Sequence, residues 1–315
     1  MSDHLARKPL LLIALGGNAL IRKGEQGTIA QQFANLRLPV EQIARLSLNW
    51  RVIITHGNGP QVGDLLLQQE CCDKVPKLPL EILVAQTEGQ IGYMIESTLD
   101  QALSQLDVPY RPLVSLITYV VVDRDDPALK DPSKPIGPVL APPDASEPLD
   151  APYSVRNTAK GWRRVVGSPE PVTIVERREI GQLVDLDFIV ICCGGGGIPV
   201  IREGRGFNGV DAVIDKDLAS SLLAREVGVD LFVMATDVEG AMVHFGKPQQ
   251  EVLRDVTAHD LARYQAEGHF PAGSMLPKIQ AGRRFALATG REAVICSIST
   301  IEDAVAGRAG TRISA

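Results

Sequence analysis

Aromatic side chains are scarce in this sequence, at 4% of 315 residues, and there is no basic excess: 32 Lys and Arg face 38 Asp and Glu, a formal charge of -6. Both shortages exclude a nucleic-acid surface, which needs a basic footprint and stacking platforms. No apolar run exceeds strand length, so no membrane span is expected. Cysteines are few and unpatterned: Cys71-Cys72, Cys192-Cys193 and a lone Cys296, with no CxxC. Neighbouring cysteines rarely bridge, so reduced thiols packed as small apolar groups in a cytoplasmic protein are expected. Met1 to Lys8 carries no signal-peptide pattern. The P-loop order GxxxxGK[ST] is missing, and no GxGxxG follows the first strand.

What is present is a large apolar complement, 45% of the chain, and a unit that recurs: a short apolar strand, a glycine loop, then a helix. The fullest version runs from Phe188 to Val227. Phe188-Ile189-Val190-Ile191 reads as a buried parallel strand and opens into Gly194-Gly195-Gly196-Gly197. Val210 to Ile214 is expected to be a second strand, followed by a helix whose N-cap is Asp215. The first strand, Leu10 to Leu15, ends in Gly16-Gly17-Asn18, and Val52 to Thr55 leads into His56-Gly57-Asn58-Gly59-Pro60. Open α/β sheets bind ligands at such strand ends, and repetition of the unit favours an anion.

The rest alternates in the same way. Ile29 to Leu48 has a helical apolar stripe that Pro39 is expected to kink or split. Pro79 to Leu106 reads as a helix, with Gly89 and Gly92 allowing close contact to the core or to a second copy. Val114 to Val122 is expected to be a strand, and Asp123 to Pro152, rich in proline and acid, a lid rather than a linker. Asp230 to Ala235 is a strand ending at Thr236-Asp237, Asp260 to Glu267 is a short helix, and Glu292 to Cys296 is the closing strand.

Two lysines are oddly placed. Lys216 follows the N-cap Asp215, and Lys278 follows Pro277, which suits a first helical turn. A cation at the positive end of a helix costs a few tenths of a kcal/mol unless an anion compensates it. Glycine amides, helix starts and lysines together can hold a phosphoryl group. His56 has no evident carboxylate partner and reads as a hydrogen-bonded loop histidine rather than an acid or base.

Taken together, these segments make the chain resemble the carbamate kinases, a branch of the amino-acid kinase family, over nearly its whole length. The resemblance rests on Ala14 to Ala19, His56 to Gly63, Gln90 to Tyr93, Lys134 to Pro138, Gly161-Trp162-Arg163, Gly194 to Pro199, Ala212 to Asp217 and Pro271 to Lys278, in that order. The wider family usually carries a lysine two residues before the first GG pair, where this chain has Ala14, as the carbamate branch does. The resemblance implies a three-layer αβα sandwich with a mainly parallel central sheet and a protruding lid subdomain. It implies one domain: residues 1–185 as the acceptor-binding half, with the lid at about 123–166, and residues 186–315 as the nucleotide-binding half.

The implied reaction is reversible phosphoryl transfer between ATP and carbamate, giving ADP and carbamoyl phosphate, run toward ATP in nitrogen catabolism. By resemblance, Lys216 and Lys278 contact the travelling phosphoryl, Asp217 orients both, and Lys134 supplies the charge that Ala14 cannot. Gly16, Gly17, Asn18, Gly57, Asn58 and Gly59 hold the acceptor; Gly195, Gly196, Thr236, Asp237 and Met275 lie where the nucleotide binds. The resemblance also implies Mg²⁺ on the nucleotide, and the lack of a dedicated protein metal cage in the sequence suits an ion carried mainly by the phosphates. A cytoplasmic homodimer is implied, with no nucleic-acid or membrane partner. The family's Asp-Ala-Gly-Arg before the Gly-Trp-Arg segment is replaced here by Asn157-Thr158-Ala159-Lys160, which leaves open an enzyme acting on another small carboxylate. A non-catalytic metabolite-binding relative should lack the lysines, and a dehydrogenase should show the dinucleotide fingerprint.

Overall fold

A computed structural model describes residues 7–140, 142, 154–158, 161–270 and 275–315. Its centre is the strand Leu10–Leu15, whose six residues are all buried. Alternate side chains serve opposite faces: Leu10, Leu12 and Ala14 join one apolar cluster, and Leu11, Ile13 and Leu15 join another. A strand buried on both faces needs helices on both. Leu222 and Phe285 come from helices Lys216–Val227 and Met275–Thr289 on one side, Leu36 and Ile95 from Ile29–Leu46 and Leu80–Gln105 on the other.

Among the described residues the central sheet has eight strands. Their order is Asp255–Thr257, Thr311–Ser314, Glu292–Ser297, Leu231–Thr236, Leu10–Leu15, Arg51–His56, Ile189–Ile191 and Leu113–Ser115. Every pairing is parallel except that of Glu292–Ser297 with Thr311–Ser314. The αβα sandwich with a mainly parallel sheet is therefore as expected. Smaller sheets flank it, one of them antiparallel and formed by Lys134–Leu140, Gly161–Val166 and Ser154–Thr158. This sheet belongs to the segment expected to form a lid, and it lies against the helix Gly59–Glu70. Ala159-Lys160, Pro271 to Ser274 and residues 141 and 143–153 lie outside the described residues.

Three expectations need correction and a fourth is narrowed: of the kink or split expected at Pro39, the split does not occur, and one helix runs over Ile29–Leu46. The proline costs about 3 kcal/mol, but burial of Leu36, Val40 and Ile43 on the same helix contributes about 1.5–3 kcal/mol each, and Thr28 and Gln31 form a capping box. Val114 to Val122 is two strands, Leu113–Ser115 and Tyr119–Val122, in different sheets. The break falls where the Thr118 N–H is taken by Glu88 instead of a strand neighbour. Val210 to Ile214 is not a strand. The hairpin Ile198–Glu203 and Gly206–Gly209 precedes it, and Asp211 turns outward to accept the Leu80 N–H at a helix start. Finally, Glu292–Ser297 is not the last strand; Thr311–Ser314 closes antiparallel beside it.

Candidate active site

Four parallel strands end along one edge of the sheet, and each leads into a stretch singled out by sequence. Leu10–Leu15 opens into Gly16-Gly17-Asn18, Arg51–His56 into Gly57-Asn58-Gly59, Ile189–Ile191 into the Gly194–Gly196 turn, and Leu231–Thr236 into Asp237. At the same edge begin the helices Lys216–Val227 and Met275–Thr289. A cavity of about 380 Å³ lies there, lined by Gly16, Gly17, Asn18, Lys216, Thr236, Asp237, Met275 and Lys278. Gly57 adjoins it: a Cβ on that glycine would meet Lys216 Cδ at 3.2 Å and Gly17 N at 3.5 Å.

The two oddly placed lysines share one carboxylate. Lys216 Nζ donates to Asp217 Oδ1 at 2.5 Å, and Lys278 Nζ to Asp217 Oδ2 at 2.9 Å. Asp217 is 3% exposed. The anion that makes lysine tolerable at these helix starts is thus supplied by the protein. A second pair lies alongside: Lys134 Nζ donates to Asp215 Oδ2 at 2.9 Å, while Asp215 Oδ1 caps the helix through the Asp217 and Leu218 N–H groups. Three ammoniums face these two carboxylates, and Asp237 on the cavity wall adds a third that acts on Lys278, so the cluster is close to charge balance.

The titration directions agree with that balance. Burial alone would raise Asp215, but the Lys134 ammonium, with Lys216 and Lys278 behind it, holds its carboxyl well below the ordinary carboxylate range. Asp217 is also lowered: burial is overcome by Lys216 and Lys278. Burial would lower Lys278, but Asp217 reverses the direction. For Lys216, burial wins and the ammonium is held less tightly than usual, with Lys278 repelling it. His56 is buried at its strand end, its pKa lowered to about 4 by burial and by Lys216 repulsion, against the Gly57 carbonyl that its Nδ1 meets at 3.3 Å. It is a neutral ring, as its loop reading requires, although a carboxyl group, Glu88, lines the same small cavity.

The residues expected to act do not all reach the large cavity. Asn58 is buried and donates to Thr87 Oγ1 at 2.9 Å. Gly195, at φ +66°, packs so tightly on Asn58 that a Cβ would lie 2.1 Å from its amide nitrogen. Gly195 and Gly196 are buried below the loops and do not line the cavity. Sequence reasoning missed Asp215 as a partner of Lys134, and it missed Val238, Gly240, Met242 and Phe245 on the cavity wall. The signal for Asp215 was available, as a second carboxylate flanking the helix-start lysine. The wall residues carry no motif, because a loop brings them there.

A sequence model described as the amino acid kinase family matches residues 9–297. The chain is 44% identical over 310 residues to a carbamate kinase of Thermococcus kodakarensis, covering 96% of this chain and 98% of that protein. It is 46% identical over 307 residues to a carbamate kinase of Haemophilus influenzae, covering 96% of each. Among solved structures, a carbamate kinase from Giardia lamblia bound to AMP-PNP is similar, with a TM-score of 0.88 and 38% identity over 98% of this chain and 99% of that one.

Proposed function

Since the chain belongs to the amino acid kinase family, and within it to the carbamate kinases, we propose that it transfers a phosphoryl group reversibly between ATP and carbamate. The products are ADP and carbamoyl phosphate, and the working direction is ATP formation in nitrogen catabolism. The observation that carries this reading is the buried Lys216–Asp217–Lys278 cluster at the foot of a 380 Å³ cavity rimmed by glycine loops.

Phosphoryl transfer asks for alignment and charge neutralisation rather than covalent help from the protein. Lys216 and Lys278, held apart by the two oxygens of Asp217, are spaced to meet the equatorial oxygens of the travelling group. The amides of Gly17 and Asn18, with those of Asn58 and Gly59 beside them, offer donors to the acceptor side, while the Gly16 and Gly57 amides are taken by the Ala235 and Leu15 carbonyls and hold the loops in place. Lys134, at the start of the strand Lys134–Leu140, supplies a third ammonium through its pairing with Asp215. Thr236, Asp237, Met275, Met242 and Phe245 line the side where ADP would lie. Gly195 acts below the surface by seating Asn58, and Gly196 by packing on the Ile214 backbone just before the Lys216 helix.

Mg²⁺ is part of the proposal. Among the described residues no three metal-ligating side chains form a group, and Asp215 and Asp217 are occupied by lysines, so the donor set fits an ion carried by the nucleotide phosphates. When bound it would neutralise charge on the β and γ phosphoryl oxygens. A homodimer is supported by Ile82 and Tyr93, exposed on the helix Leu80–Gln105, with Tyr110 and Ile117 exposed nearby in the chain; light scattering decides it. No described helix is long and apolar enough to cross a membrane, and the five cysteines are free, which supports a cytoplasmic setting.

The test is ATP formation from ADP and carbamoyl phosphate with Mg²⁺, beside acetyl phosphate and other acyl phosphates. Turnover is expected with carbamoyl phosphate. Good turnover with another acyl phosphate and none with this one would instead favour the second reading, a small-carboxylate kinase, for which the altered Asn157 to Lys160 segment speaks.

A further inference from the structure

Away from the three lysines, the buried acid Glu88 has no ion-pair partner among the described residues. Glu88, on the helix Leu80–Gln105, is 4% exposed. Its Oε2 accepts the Thr118 N–H at 3.1 Å, and the Gly194 N–H also donates to the carboxyl. Oε1 is buried and has no hydrogen-bond partner among the described residues. Leaving such an atom bare costs about 1–3 kcal/mol, so buried polar groups almost always find a partner.

A partner is within reach through a cavity of about 50 Å³ lined by Glu88, His56, Ser115 and Gly194, which has room for a water molecule. His56 directs Nδ1 to the Gly57 carbonyl, so the neutral ring carries its proton there and its lone pair on Nε2. Nε2 lies against Gly194: a Cβ on that glycine would come within 2.5 Å of it and within 3.0 Å of Glu88 Cγ. A carboxylate would set one lone pair against another across this cavity, whereas a carboxylic acid has the hydrogen that Nε2 lacks.

The surrounding charges point the same way. Glu176, at the start of the helix Arg177–Asp185, is a second acid facing Glu88. Cys193 is a buried thiol pushed well above its ordinary value by Cys192, burial and both acids. His56 is neutral and repelled by Lys216, whose ammonium is paired with Asp217. Burial raises Glu88 well above the usual carboxyl range, and Glu176 adds to this against the two backbone donors.

We propose that Glu88 is a positioning residue that works as a neutral carboxylic acid. Its Oε2 gathers the Thr118 and Gly194 amides, and its Oε1–H reaches His56 Nε2 through one water in the cavity. The link ties the acceptor loop that starts at Gly57 to the glycine run on which Asn58 sits. Asn58 and Gly57 then keep their places relative to Lys216 without any charge being buried between the loops.

The test compares Glu88→Gln with Glu88→Ala. An amide reproduces both the acceptor and the donor of the neutral acid, so Glu88→Gln should keep kcat and KM within about threefold. Glu88→Ala strands two amides and the imidazole and should lose about tenfold or more in kcat/KM. Two readouts need no substrate, so they stand apart from the kinase reading on which the turnover arm rests. Infrared spectra of the wild type at pH 6.5 should show a protonated-carboxyl C=O band that Glu88→Gln lacks. The melting temperature of Glu88→Gln relative to wild type should climb as pH rises from 5 to 8. The sign follows from linkage: a carboxyl raised in the fold contributes most below its unfolded pKa, and that contribution is lost as pH rises toward its folded value. Absence of the band, parallel melting curves, or a folded Glu88→Gln as impaired as Glu88→Ala would each overturn the proposal.

Discussion

Asp217 has both oxygens occupied by ammonium groups while being 3% exposed, and this makes its removal different in kind from removal of either lysine. Lys216→Ala leaves Asp217 paired with Lys278 and takes away one preorganised charge, so turnover should fall about a hundredfold or more with the fold retained. Asp217→Asn takes from two buried ammoniums the carboxylate that pairs with both, leaving only the more distant Asp215 and Asp237. Breaking a buried pair in this way costs about 3–5 kcal/mol, so turnover and urea stability should fall together. Paired assays of ATP formation and urea unfolding check both; near-normal turnover in folded Lys216→Ala removes that residue from the transfer step. The lysines were legible because each stands in a first helical turn, where a cation is out of place. The Lys134–Asp215 pair was not legible from spacing, since 81 residues separate its members.

At the scale of elements, the lid sheet meets the helix Gly59–Glu70 through a contact that only glycine permits. A Cβ on Gly63 would lie 1.9 Å from Gly137 Cα, backbone against backbone. The same joint carries the Arg164–Glu70 ion pair and a hydrogen bond from Arg163 to the Gly137 carbonyl. Strand Lys134–Leu140 begins with the lysine that reaches Asp215, so the joint sets where that ammonium arrives. Gly63→Ala should push the sheet away, lowering kcat about as much as Lys134→Ala does, with ADP affinity unchanged because the proposed ADP side is formed by Thr236, Asp237 and Met275 instead. Normal kcat in Gly63→Ala would show that the joint does not govern Lys134. Sequence marked this region as an excursion because prolines crowd it, but the pairing of its strands was hidden. Proline-rich segments lack alternation, and the register appears only when Gly161–Val166 returns beside Lys134–Leu140.

For the whole molecule, acid and base responses come from buried groups that oppose one another. His56, lowered to about 4, favours the fold above its unfolded value near 6.5, and this contribution, about 3 kcal/mol, is lost as pH falls toward 4. Glu88, raised instead, loses its contribution as pH rises above about 4.5. Between pH 4.5 and 6.5 the two slopes offset, so wild-type urea stability should be nearly flat there. His56→Gln should make stability fall with rising pH over that window, and Glu88→Gln should make it rise. Below about 3.8, loss of the depressed Asp215 and Asp217 ionisation adds a steeper decline. Identical profiles for wild type and both variants would rule out the opposed pair.

The amino-acid sequence alone determined the α/β class, the buried strand Leu10–Leu15, the glycine loops at strand ends and the two helix-start lysines, because each follows from composition or periodicity within about twenty residues. Tertiary structure alone decided that Val114 to Val122 divides between two sheets, that Pro39 stays within one helix, and that a single carboxylate serves both lysines. It also decided that Glu88 faces His56 across Gly194. These outcomes depend on which distant groups compete for a backbone amide, an ammonium or a buried face, and that competition is settled only when the chain is packed.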